Sequence, residues 1–258
     1  MLREIRIFLT AIQFFTRIPA PAWVGHTPQQ LEQASRYFPL VGMLVGGIAA
    51  AVLWLGAQAL PLSLAVGLSM AASILATGAF HEDGLSDFAD GLGGGNKEKI
   101  LAIMKDSRIG VYGVIALVLV LLLKYQALMA ICGRHTLLYL CAAIVAAHTF
   151  SRLMAVSIMF TQRYVREDDS ARARPASQRP GITSLAVALL TGMAALGILF
   201  AAGAHLPSIF AAVAAAVIMR AYLAWQLQKR LGGYTGDCLG AVQQLSELVF
   251  YLGLLEMF

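Results

Sequence analysis

The run LSLAVGLSMAASILATGAF, residues 62–80, passes directly into HEDGLSDFADG, residues 81–91. The first stretch is apolar and long enough to cross a bilayer as a helix. The second places four carboxylates, Glu82, Asp83, Asp87 and Asp90, at its end. Asp83, Asp87 and Asp90 stand at i, i+4 and i+7, so in a helix they share one face. Three acids converging at a membrane boundary point to a divalent-cation site, and oxygen ligation suits Mg²⁺ or Mn²⁺. At an effective dielectric of about 20, unit charges about 6 Å apart repel by roughly 3 kcal/mol. A bound cation removes that repulsion. The competing reading is a solvated acidic helix cap.

Around this junction the whole chain is apolar. It is 59% hydrophobic and only 13% charged, with a mean hydropathy of +0.74. Those values exclude a soluble domain and predict an all-α, polytopic transmembrane helix bundle. Apolar stretches of spanning length cover 40–58, 62–80, 111–131, 137–160, 182–203, 207–227 and 239–257. Some are interrupted by Pro, Gly or polar residues and can be re-entrant, so about six to seven spans are expected. The chain reads as one integral membrane domain over 1–258, with no repeat or long linker. Its 1–39 segment is broken by Arg3, Glu4, Arg6, Gln13 and Arg17 and reads as interfacial, not as a signal peptide.

Basic residues set the orientation. Arg3, Arg6, Arg17 and Arg36 fall on one side with Lys97, Lys99, Lys105 and Arg108. Arg163, Arg166, Arg172, Arg174, Arg179, Lys229 and Arg230 join them, and the opposite connectors offer only Arg134. The acidic motif is therefore expected to face the cytoplasm. The net charge of +5 reports this topology and gives no ground for nucleic-acid binding. Asp168 to Pro180 reads as a polar, mobile connector. Cys132, Cys141 and Cys238 form no CxxC pair and imply neither a disulfide framework nor a zinc site.

Beyond Asp90, Gly93, Gly94 and Gly95 allow the chain to turn back, and Met104-Lys-Asp-Ser-Arg-Ile-Gly110 follows. A cytoplasmic helical hairpin over 81–110 would set the acids on one arm and Lys105, Asp106 and Arg108 on the other. Arg forks onto phosphate oxygens and Lys supplies a compact charge. Both residues also serve as ordinary positive-inside anchors. A third polar patch, Gly232-Gly-Tyr-Thr-Gly-Asp-Cys-Leu-Gly240, offers Asp237 as a ligand, a holder of a substrate hydroxyl or a helix cap. Glu247, inside the last apolar stretch, requires a partner or a wet cavity. Lys124 is suited either to neutralise it or to touch substrate. Arg152 and Arg220 read as bundle-facing or snorkelling charges, and His148 as a packing residue.

The motifs together resemble one family. Phe15-Thr-Arg-Ile-Pro19, Phe38-Pro-Leu-Val-Gly42, the 81–91 motif, Met104–Gly110 and Thr235-Gly-Asp-Cys-Leu-Gly-Ala241 occur in the order of the cobalamin synthase (adenosylcobinamide-GDP ribazoletransferase) family. The resemblance covers nearly the whole chain; Ser86 stands where alanine is common in that family. It implies a Mg²⁺-dependent, multi-pass enzyme of the bacterial inner membrane. Such an enzyme joins adenosylcobinamide-GDP to α-ribazole or its 5′-phosphate and releases GMP. It further implies Asp83, Asp87 and Asp90 as metal ligands with Asp106 in support, and Lys105 and Arg108 on the diphosphate. Asp87 or Asp90 would accept the hydroxyl proton. Arg17, Asp237 and Glu247 are secondary substrate-binding candidates, and His81 is either an orienting or a helix-boundary residue. The lipid bilayer is a partner throughout. A homo-oligomer and association with other cobalamin-pathway enzymes are compatible with this reading.

Three rivals meet the same motifs. A membrane prenyltransferase also uses Asp-rich motifs and Mg²⁺, but the second acidic run, Glu167-Asp168-Asp169, is embedded in arginines. A CDP-alcohol phosphotransferase requires a DGxxAR element that is missing here. An ion-coupled transporter would gather its acids at midplane and show inverted repeats.

Overall fold

In the computed structural model, residues 2–25, 27–166 and 180–255 are described. Arg172, Arg174 and Arg179, the acidic run Glu167–Asp169 and the 168–180 connector up to Arg179 lie outside them. Eleven α-helices follow one another among the described residues. They are α1 (Leu2–Phe15), α2 (Pro28–Ala34), α3 (Phe38–Gly56), α4 (Leu62–Thr77), α5 (Phe80–Gly91) and α6 (Lys97–Ile103). After these come α7 (Val111–Cys132), α8 (Leu137–Thr161), α9 (Ile182–Ala201), α10 (Leu206–Leu231) and α11 (Gly236–Leu254). Among the described residues there is no strand, only one backbone bridge between Tyr164 and Tyr234. The all-α bundle expected from the sequence is therefore the observed architecture.

Each apolar stretch forms helix, but they do not all cross alone. Among the described residues, five helical segments are long and apolar enough to span: 30–56, α7, α8, α9 and α10. A sixth is counted if α4 and α5 form one broken span. The polar side chains of α11 (Asp237, Gln243, Gln244 and Glu247) keep it out of that set, so the count is five, or six with the bent pair, against the expected six to seven.

Burial sorts the helices by layer. Of the apolar window in α8, 78% is buried, against 28% in each of α7, α9 and α10. Helix α11 packs on α10, α5, α8 and α7, while α3 packs on α8 and α4. So α8 and α11 form the axis of the bundle. On the outside, Ile115, Val118, Leu119 and Leu122 repeat at i, i+3, i+4 and i+7 on the exposed face of α7. Apolar side chains outside and polar ones within is the pattern of a protein whose solvent is lipid. The protein is a multi-pass membrane protein.

Helix ends follow local chemistry. Thr27 and Gln30 form a reciprocal capping box on α2. Asn96 caps α6 through the Lys99 amide, Thr136 caps α8 through Tyr139, and Thr235 caps α11 through Cys238. The expected interfacial segment begins with α1, which buries Ile7, Thr10, Ala11, Ile12 and Phe15 and exposes Leu2 and Ile5.

Two features place the acidic motif. Helix α4 ends at Gly78 (φ 65°), and Ala79 also sits in the left-handed region (φ 59°). For an alanine that conformation costs about 1–2 kcal/mol. Together the two residues turn the chain so that α5 leaves α4 at 87°. The second feature is close packing of α5 on α11. A β-carbon at Gly84 would lie 2.9 Å from the Asp237 carbonyl oxygen and 3.2 Å from the Gly240 α-carbon. Only small residues permit that approach, and it brings Asp237 against the acidic helix.

Candidate active site

On α5, Asp83 is exposed, whereas Asp87 and Asp90 are half-buried. Asp90 is the best fixed of the three. Its Oδ2 accepts the Gly110 backbone N–H at 2.7 Å and its Oδ1 accepts that of Gly113 at 2.9 Å. Those amides begin α7, so the carboxylate sits at the positive end of that helix. Gly113 is required for the contact, since a β-carbon there would overlap Ser86 Oγ and the Asp90 carboxylate.

Asp87 reports the electrostatics of the cluster. Burial, reinforced by the charges of Asp237, Asp83 and Asp90 and opposed by Arg166, pushes its carboxyl up to about 7. Four carboxylates therefore share one field: Asp83, Asp87 and Asp90 from α5, and Asp237 from the first turn of α11. Arg166 is the cation that faces them, with Nη2 2.9 Å from Asp237 Oδ2. The same nitrogen donates to the Met104 carbonyl at 3.1 Å, tying the 104–110 loop to α11.

The expected hairpin also forms. Helices α5 and α6 are joined by a tight connector, and Arg230 donates to the Leu92 and Gly94 carbonyls at 3.0 and 2.8 Å. Past α6 the chain returns through Lys105, Asp106 and Arg108 to Asp90. Lys105 and Arg108 are exposed, as a phosphate-binding pair requires. Asp106 does not reach the other acids. It forks with Arg108, Nη2 to Oδ2 at 2.6 Å and Nε to Oδ1 at 3.0 Å. That hydrogen-bonded guanidinium holds the Asp106 carboxyl down at about 2. Being exposed, the pair contributes little to stability.

The remaining candidates fall into two places. Arg17 is exposed at the α4–α5 bend, where its guanidinium lies over Gly78 and its amide donates to the Ala76 carbonyl at 2.7 Å. Glu247 lies inside the bundle, about 15 Å along α11 from Asp237 at about 1.5 Å per residue. Its Oε1 pairs with Lys124 Nζ at 3.0 Å, and His148 Nδ1 stands 3.6 Å from its Oε2. Of the two roles open to Lys124, neutralising Glu247 is the observed one. His81 is buried and stacks on Phe15 with ring centroids 6.0 Å apart, a packing role at the helix boundary.

The donor chemistry of the four-acid cluster fits a hard divalent cation, and the repulsion felt at Asp87 is what such an ion would relieve. The set is gathered but not convergent: among the described residues, no three His, Cys, Asp or Glu side chains are grouped closely enough to hold a metal.

Comparison with known proteins fixes the relationship. The family described as cobalamin-5-phosphate synthase matches residues 7–255. The chain belongs to this family. An adenosylcobinamide-GDP ribazoletransferase of Leptothrix cholodnii is 46% identical, over 98% of this chain and 96% of the relative. One from Shewanella frigidimarina is 45% identical, over 99% of this chain and 96% of the relative. No solved structure matches. The family resemblance read from the motifs is thus confirmed over nearly the full length.

Two residues of the site take roles that their sequence context does not announce. In the sequence Arg166 reads only as a topology signal among neighbouring arginines. Its position comes from backbone pairing that no local pattern reveals: Val165 N–H donates to the Tyr234 carbonyl at 3.0 Å, and Tyr234 N–H to that of Arg163 at 2.9 Å. Glu82 reads as one of the clustered acids, but it faces the bundle interior, where its Oε1 accepts from Gln244.

Proposed function

We propose that this protein is an adenosylcobinamide-GDP ribazoletransferase. It transfers the phosphorylated cobinamide of adenosylcobinamide-GDP to the hydroxyl of α-ribazole or its 5′-phosphate and releases GMP. The observation that carries this reading is the match to ribazoletransferases at 45–46% identity over at least 98% of the chain. The site chemistry agrees with it. Neither the family nor the geometry of the site lends support to a prenyltransferase or a transporter.

Mg²⁺ is the cofactor proposed for the cluster, held by Asp83, Asp87 and the lone pairs that Asp90 and Asp237 keep free. When bound it would neutralise charge on the diphosphate and stabilise the displacement. The chain's own groups do the rest. Lys105 and Arg108 hold the diphosphate, Arg108 exchanging its fork with Asp106 for one with phosphate. Asp106 then acts as a keeper of Arg108, not as a ligand. Asp87 is the better proton acceptor of the two acids open to that role, because both oxygens of Asp90 already accept backbone amides and are less basic. The attacking hydroxyl loses its proton to Asp87 as the bond to the cobinamide phosphate forms and GMP leaves. Arg166 keeps the loop of Lys105 within reach of the acids.

We further propose that the enzyme lies in the bacterial inner membrane with this end facing the cytoplasm. The concentration of Lys and Arg on that side supports it. The large corrin would dock on the open surface beside the site. The test is product formation: protein reconstituted in lipid, given adenosylcobinamide-GDP, α-ribazole and Mg²⁺, should yield adenosylcobalamin detectable by mass. Well-folded protein that yields neither product with either form of ribazole contradicts the assignment.

A further inference from the structure

Glu82 belongs to the acidic motif in sequence but not in space. About 100° of helical rotation per residue turns it away from the face shared by Asp83, Asp87 and Asp90. Its Oε1 accepts Gln244 Nε2 at 2.9 Å, and Gln244 Oε1 accepts Lys124 Nζ at 2.6 Å. Lys124 Nζ also pairs with Glu247 Oε1 at 3.0 Å. Gln243 Nε2 donates to Glu247 Oε2 at 2.5 Å and to Ser151 Oγ at 3.1 Å. One buried polar chain thus runs from α5 through α11 to α7 and α8. It borders a cavity of about 20 Å³, room for about one water.

The chain has a fixed polarity. An ammonium only donates, so Gln244 must turn its carbonyl to Lys124 and its NH₂ to Glu82. Rotating that amide would break both hydrogen bonds. Residue 82 is therefore required to accept a hydrogen bond. Helix α5 is short and is bounded by the bend at Gly78–Ala79 and by the turn to α6, so its rotation is set by its packing on α11 and α7 and by the side-chain bonds it makes there. Asp90 fastens its far end to α7, and Glu82 fastens its near end to the bundle.

We propose that the Lys124–Gln244–Glu82 relay positions α5, setting the rotation at which Asp83, Asp87 and Asp90 face the cation and substrate. Glu82 serves as a hydrogen-bond acceptor and its charge does not act at the cation. Gln244 and Lys124 are positioning residues. The inference rests on the metal-dependent transferase reading above.

A swap of the two partners tests it. Gln244→Glu sets two carboxylates face to face. The double variant Glu82→Gln with Gln244→Glu keeps the net charge and restores the link. The amide now on α5 donates to the carboxylate now on α11, which still accepts from Lys124. The full chain, reconstituted in lipid, is assayed for kcat and for half-activating Mg²⁺, with amide exchange along α5 followed in parallel. The relay predicts that Gln244→Glu raises half-activating Mg²⁺ about tenfold or more and speeds exchange in α5. It predicts that the swap returns both to within about threefold of wild type. A swap that folds and restores α5 exchange but stays as impaired as Gln244→Glu would overturn the proposal, because a carboxylate at 82 would then be needed for itself. Unchanged behaviour of Gln244→Glu would overturn it equally. If Gln244→Glu does not fold, Gln244→Leu takes its place, with the same rise expected and its absence contradictory. Inactive wild type would sink the transferase reading instead; the relay is then judged by α5 exchange alone.

Discussion

Replacing Asp90 by Asn separates its structural duty from its chemical one. In the native protein each carboxylate oxygen accepts one backbone amide, from Gly110 and Gly113. Asparagine has one acceptor oxygen and must turn its NH₂ toward the other amide. One charge-assisted hydrogen bond, worth about 1.5–3 kcal/mol, is lost and a backbone N–H is left unpaired at about 1–3 kcal/mol. Asp90 is half-buried, so water recovers part of this, and about 2–4 kcal/mol of local stability is the expected loss. At about 1.4 kcal/mol per factor of ten, the Gly110 and Gly113 amides should exchange with solvent about 30- to 1000-fold faster. Hydrogen exchange read by mass spectrometry over 104–116 measures it, with the centre of α8 as an internal reference that should not move. Exchange at those amides within about threefold of wild type would mean that the two hydrogen bonds do not hold the segment. Asp90 would then act only through substrate or cation.

Gly113→Ala should reproduce the same local loosening without removing a charge, since its β-carbon would displace Ser86 and Asp90; transferase rate and exchange over 104–116 check it together. Lys124→Met leaves Glu247 and Gln244 facing an apolar side chain, and should destabilise the protein by about 3 kcal/mol in detergent unfolding; adding Glu247→Met should recover most of that loss. Asp87 gives a pH signature. Its folded carboxyl titrates near 7, above the ordinary 3.8, so the metal-free protein holds an extra proton between those values and loses stability as pH rises from the lower toward the upper. Asp87→Asn should flatten that slope in pH-dependent unfolding. By the same sign, protons compete with the proposed cation below about pH 7, so half-activating Mg²⁺ should fall as pH rises from about 6 to about 8. Arg166→Ala removes a charge that opposes the rise at Asp87, so its pH profile should move to higher pH.

The fold is largely legible in the sequence, because each apolar stretch announces a helix and each has a marked end. What the sequence hides is direction. The run at 62–80 reads as one span, yet Gly78 and Ala79 both adopt left-handed backbone and turn α5 aside; nothing in Ala79 as a residue type foretells that. Helix α11 reads as a span by length, but its amide and acid side chains bond to Glu82, Lys124 and Ser151 on neighbouring helices as well as to each other, which marks a buried axis. At the site, Asp83, Asp87 and Asp90 are visible from spacing alone, whereas their partners depend on tertiary contacts. Asp237 meets them because Gly84 lies on Gly240, and Arg166 because the 163–165 backbone pairs with Tyr234. Asp106, read from the sequence as a supporting ligand, is paired with Arg108 two residues away, a contact that its spacing alone does not announce.

GMP release is the measurement that bears on the proposed cation site at Asp83, Asp87, Asp90 and Asp237. Reconstituted protein is given adenosylcobinamide-GDP with and without α-ribazole, in Mg²⁺ and in EDTA, beside an Asp83→Asn variant whose exposed position should let it fold normally. Release should require ribazole and Mg²⁺ and fall by at least about 100-fold in Asp83→Asn. Release that persists in EDTA, or a folded Asp83→Asn variant with wild-type activity, would contradict the proposed site.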